Sequence, residues 1–82
     1  MLNKMDIYKK IKAVYPDIGE FGKDVTIDYD KVQHAWVVDL KDGRKHLKTF
    51  LEEKDAEVCV DKNKCIGVGL QIGQLRHNLK IM

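Results

Sequence analysis

The sequence predicts a two-layer α+β domain: a three-stranded antiparallel meander with an N-terminal helix and a C-terminal helical segment, ordered α-β-β-β-α-α. Three observations predict it. Ile7, Ile11, Val14 and Ile18 recur at helical spacing near the start. Consecutive segments from Val25 to Leu51 alternate apolar and polar residues, broken by turn residues. Cys65, Val68, Ile72, Leu75 and Leu79 repeat at helical spacing near the end.

The first helix is expected over residues 3–15. Asn3 can cap it, and Asp6 stands three residues on. Pro16 disfavours helical geometry at Tyr15 and stops it. Asp17 to Asp24 carries Gly19 and Gly22 and reads as a loop anchored by Phe21.

Val25, Ile27 and Tyr29 alternate with Thr26, Asp28 and Asp30. Trp36, Val38 and Leu40 alternate with Val37, Asp39 and Lys41. Asp42-Gly43 is a hairpin signal, because a type I′ turn needs positive φ at both central positions. A third strand follows from Arg44 to about Leu51. A two-residue Asp42-Gly43 turn pairs Val38 with Leu47 and Trp36 with Thr49. A turn centred on Lys31-Val32 pairs Ile27 with Trp36 and Val25 with Val38. Both registers gather apolar residues on one face, and a slip by one residue would expose them.

A short helix is expected from Glu52 to Val60, with Ala56, Cys59 and Val60 inward, then a polar break over residues 61–64. Two periods compete after Cys65. Ile66, Val68, Leu70 and Ile72 alternate like a strand, whereas Cys65, Val68, Ile72, Leu75 and Leu79 make a helical stripe. Length favours the helix. Gly67, Gly69 and Gly73 oppose it at about 1 kcal/mol each, unless they let the helix pack closely. The expected core is Ile7, Ile11, Val14, Val25, Ile27, Trp36, Val38, Leu40, Leu47, Leu51, Ile72 and Leu75.

Composition narrows function. The 82 residues are 44% hydrophobic and 34% charged, a globular balance in a chain short enough for one domain. A net charge of +2 does not by itself indicate a nucleic-acid or membrane partner. No apolar run approaches the ~20 residues that span a bilayer, and the N-terminus lacks a signal-peptide pattern. Two cysteines form no disulfide framework, so the expectation is a cytoplasmic protein with two small, buried or half-buried thiols. Whether Cys59 and Cys65 pair is left open.

Chemistry-bearing patterns are sparse. Gly67-Val68-Gly69-Leu70-Gln71-Ile72-Gly73 lacks the preceding strand and following acidic residue of a dinucleotide loop, so close packing is its expected use. Cys59, Cys65, His34, His46 and His77 do not have zinc-ligand spacing. The chain contains no Ser. Asp39 and His46 are expected as cross-strand neighbours on an open face, where nothing excludes water. No enzyme activity, cofactor or metal is expected.

The outer sheet face is the candidate binding surface. Val37 and Phe50 supply apolar area there, and Lys41, Arg44, His46 and Lys48 supply charge. Asp28 and Asp39 dilute that charge. The leading expectation is a small interaction module that binds a protein partner or self-associates. The alternative is nucleic-acid binding through the basic hairpin.

That alternative has a topological basis. The loop Asp30-Lys31-Val32-Gln33-His34 joins the first two strands, and Lys62 and Lys64 precede the last helix. The α-β-β-β-α order resembles the double-stranded RNA-binding domain. That family carries a Gly-Pro-x-His-like loop at the first position, of which His34 alone is present. It carries a lysine cluster at the second, where only Lys62 and Lys64 stand. The resemblance implies RNA as a partner; topology alone does not transfer function.

Overall fold

A computed structural model describes residues 2–82. The elements are α1 (Lys4–Val14), β1 (Val25–Asp30), β2 (Ala35–Asp42), β3 (Lys45–Glu52), α2 (Glu53–Lys62) and α3 (Ile66–Lys80). The α+β order is as the sequence predicts. The sheet is antiparallel, ordered β1-β2-β3. Helices cover one of its faces, and the other is open.

Helix α1 starts where Asn3 accepts a hydrogen bond from the Asp6 N–H at 2.9 Å. This satisfies one of the amides that a helix start leaves unpaired. Tyr15 closes the helix ahead of Pro16, its N–H bonded to the Ile11 carbonyl. Ile7 and Ile11 are buried as expected, but Val14 is 46% exposed and Tyr8 takes the third core position. The helix is turned so that the core lies between Ile7, Ile11 and Tyr8. Tyr8 meets the Phe21 ring edge-on at 5.1 Å, and its hydroxyl donates to the Gly19 carbonyl at 2.6 Å. Phe21 thus anchors the loop.

Both hairpin registers differ from expectation by two residues. Val25 faces Leu40, Ile27 faces Val38 and Tyr29 faces Trp36. Trp36 in turn faces Leu51, Val38 faces Thr49 and Leu40 faces Leu47. The expected faces survive because a strand repeats every two residues. The cause lies in the turns. The second hairpin closes with Asp42 paired to Lys45, so its central residues are Gly43 and Arg44. Gly43 alone is in the left-handed region, at φ 65°. That is the demand of a type II′ turn, with glycine first, and not of type I′. The first hairpin leaves residues 31–34 unpaired, with His34 at φ 52°.

The core joins Val25, Ile27, Val38, Leu40 and Leu51 of the sheet to Ile7, Ile11, Ala56, Val68, Ile72, Leu75 and Leu79 of the helices. Trp36 and Leu47, expected inside it, are only partly buried and pack on its margin. They lie toward opposite ends of the inner face.

Helix α2 ends at Asn63, in the left-handed region at φ 56°, and the Lys64 N–H returns to the Val58 carbonyl at 3.2 Å. That reversal brings the Cα atoms of Cys59 and Cys65 to 4.3 Å, and their sulfurs form a disulfide. The expectation of two free thiols is therefore corrected. Closing so short a loop stabilises the fold by about 2 kcal/mol in the chain-entropy account. Cys65→Ser removes the bond while leaving the buried Cys59 in place. We expect it to lower the unfolding free energy by about 2 kcal/mol in urea melts, with no further loss on adding reductant.

Helix α3 resolves the competing periods: Val68, Ile72, Leu75 and Leu79 are buried. Of its glycines, Gly73 alone serves the close packing expected of all three; a Cβ on Gly67 or Gly69 would make only ordinary contacts, at 3.8 Å. The Tyr15 hydroxyl donates to the Gly69 carbonyl at 2.8 Å. A Cβ on Gly73 would meet that hydroxyl well inside contact distance. The Arg76 guanidinium stacks 4.7 Å from the Tyr15 ring centroid and pairs with Asp17 at 2.7 Å. On the other flank, Gln71 Nε2 donates to Thr49 Oγ1 and to the Phe50 carbonyl, tying α3 to β3.

Candidate functional site

The open face is built from alternate residues of three strands. Across it, Asp28 faces Val37, which faces Phe50. The next row is Thr26, Asp39 and Lys48, and Lys41 faces His46 beyond it. Val37 and Phe50 are directly opposed and half-buried, although no helix covers them. The Lys48 ammonium lies 6.0 Å above the Phe50 ring. Lys41, His46 and Lys48 are exposed on the face, whereas Arg44 is exposed at the turn, beyond the paired strands.

The two-residue shift alters the expected Asp39–His46 pair. Asp39 is opposite Lys48, and His46 is its diagonal neighbour. Even so, His46 Nδ1 lies 3.6 Å from Asp39 Oδ1, a buried oxygen with no hydrogen-bond partner. The pair is an ion pair when the imidazole is protonated. The arrangement supplies cross-strand attraction on the open face. Asp28 is similarly met by Lys4 at 3.9 Å.

The sequence reading missed two features. The first is the outward side of α3, where Ile66 and Leu70 are 79% and 71% exposed. Their spacing of four was legible, but Ile66, Val68, Leu70 and Ile72 also alternate, which hides the separation of the two pairs.

The second is a cleft of about 390 Å³ between the sheet and the start of α2, lined by Leu2, Tyr29, Trp36, Glu53 and Glu57. Tyr29 and Trp36 are directly opposed and meet edge-on at 5.1 Å. Glu53 and Glu57, four apart, share one side of α2. The Tyr29 hydroxyl donates to Glu53 Oε2 at 2.6 Å. That hydrogen bond, with the negative charge of Glu53, Asp30 and Glu57, raises the Tyr29 pKa above its ordinary value. Trp36 Nε1 is buried without an acceptor. The expected pairing of Ile27 with Trp36 concealed this site, because it separated the two rings.

The resemblance residues are also placed. His34 is exposed in the β1–β2 loop. Lys62 and Lys64 flank Asn63, whose side-chain oxygen accepts from Lys10 Nζ at 2.8 Å. Among the described residues, no helix is long and apolar enough to cross a membrane. No protein family, curated protein or solved structure matches the chain.

Proposed function

We propose that the protein is a non-catalytic interaction module that docks through the open face of its sheet, with a second copy of itself as partner. The opposed pair Val37 and Phe50, central on a face that no element covers, carries this reading. The surrounding charge supports it. Lys41 and Lys48 alternate with Asp28 and Asp39, so a two-fold copy can set lysines against aspartates. A phosphate backbone favours an undiluted basic stripe, and Asp39 interrupts this one. That observation ranks the nucleic-acid alternative second.

Sedimentation velocity across a concentration series tests the reading. We expect a concentration-dependent dimer that Phe50→Asp shifts toward monomer. The monomer should lose only about 0.2–1 kcal/mol, the worth of the Val37–Phe50 cross-strand pair, and stay folded. A monomer at every concentration would remove self-association. For the alternative, amide spectra with a short RNA duplex at about 50 and 200 mM salt are informative, because phosphate contacts weaken steeply over that range. We expect no salt-suppressed shifts over residues 41–48, and no effect of Arg44→Glu combined with Lys48→Glu.

A further inference from the structure

We propose that the cleft between the β1–β2 end of the sheet and the start of α2 receives the guanidinium group of an arginine side chain from a partner protein. The inference is independent of the sheet-face reading, which concerns the opposite face.

The lining is aromatic and acidic, apart from the buried Trp36 N–H, a donor that a guanidinium leaves unpaired. Two aromatic rings, Tyr29 and Trp36, supply negative π faces, and Glu53 and Glu57 supply two carboxylates. Among the described residues, no Lys or Arg lines the cleft. In a chain of net charge +2, two carboxylates are thus gathered at one aromatic recess, with no salt bridge to either among the described residues. The Tyr29 pKa is raised first by its hydrogen bond to Glu53 and then by desolvation, with the charges of Glu53, Asp30 and Glu57 adding to it. The phenol, protonated at neutral pH as tyrosine ordinarily is, donates to Glu53.

The chemistry of the lining favours guanidinium over ammonium. Guanidinium is planar, more weakly hydrated and able to stack on an aromatic ring while its N–H groups meet carboxylates. Tyr29 fixes one oxygen of Glu53 through a 2.6 Å hydrogen bond. The other oxygen and the Glu57 carboxylate remain as acceptors. A side chain is favoured over free arginine because a free α-carboxylate would be brought near Glu53 and Glu57. The fold already stacks one guanidinium on a tyrosine while pairing it with a carboxylate, in Arg76 with Tyr15 and Asp17.

Trp36 is the sole tryptophan, so its emission reports on the cleft directly. We would titrate the intact protein with N-acetyl-arginine-N-methylamide and with its neutral isostere, N-acetyl-citrulline-N-methylamide. The expected result is saturation by the arginine compound near ~1 mM and at least tenfold weaker binding of the citrulline compound. Glu53→Gln combined with Glu57→Gln, with its amide spectrum checked for folding, should weaken the arginine compound about tenfold. Equal responses to arginine and citrulline in the unaltered protein would overturn the proposal. So would no response up to about 20 mM, or tighter binding of free arginine than of the capped form. The arginine–citrulline comparison needs no variant, so it decides the matter even where the double substitution fails to fold.

Discussion

Gly73→Ala should destabilise the protein, although alanine is the better helix former by about 1 kcal/mol. The added methyl group would collide with the Tyr15 hydroxyl, which lies across α3 between Gly69 and Gly73. Relief requires the ring to move. That sacrifices the hydrogen bond to the Gly69 carbonyl and disturbs the Arg76 stack. A net loss of about 1–3 kcal/mol is expected, as for other overpacked sites. At this chain length, each kcal/mol lowers the thermal midpoint by about 4–8 °C. Tyr15→Phe supplies the control. It removes the colliding oxygen, so Gly73→Ala in that background should be neutral or stabilising. A rise in midpoint from Gly73→Ala alone would show that the close approach is absent.

Ile72→Ala and Leu70→Ala should differ by several kcal/mol, although the residues are two apart. Ile72 is fully buried against the sheet and α1, whereas Leu70 is 71% exposed. Removing a buried isoleucine side chain costs about 2–5 kcal/mol through lost transfer energy and the cavity left behind. Removing an exposed leucine should change stability by less than about 0.5 kcal/mol. In a strand the two side chains would share a face and their costs would be alike. Paired urea melts therefore test the helical period of this segment directly. Similar losses for both variants would contradict it.

That comparison shows what the sequence disclosed and what it withheld. The element order was legible because each apolar repeat has a period of its own. The inner and outer faces of the sheet were legible for the same reason, so Val37 and Phe50 were correctly set opposite the core. The register was not legible. Asp42-Gly43 fits more than one turn, and every shift by two residues preserves the faces. The consequence was local but large for function: Tyr29 was separated from Trp36, and the recess they form with Glu53 and Glu57 disappeared. The disulfide escaped for a related reason. A separation of six says nothing about distance until Asn63 reverses the chain. Val14 was misassigned because an i, i+7 repeat defines a stripe only to within the rotation of its helix.

The clasp of Tyr15 on α3 has a consequence for how the chain matures during synthesis. The sheet is made of neighbours in sequence, and its two hairpins can close as they emerge. Helix α1 cannot complete its packing that way. Its neighbours include α3, and its capping tyrosine bonds to Gly69, 54 residues later. At about 5–20 residues per second, α1 waits roughly 3–11 s for that partner. During that interval Ile7 and Ile11 lack their full cover, as does the helix-facing side of the new meander. Helix α1, made before the sheet, is thus secured only after it, and the unfinished chain is most open to chaperones and proteases until α3 has been synthesised.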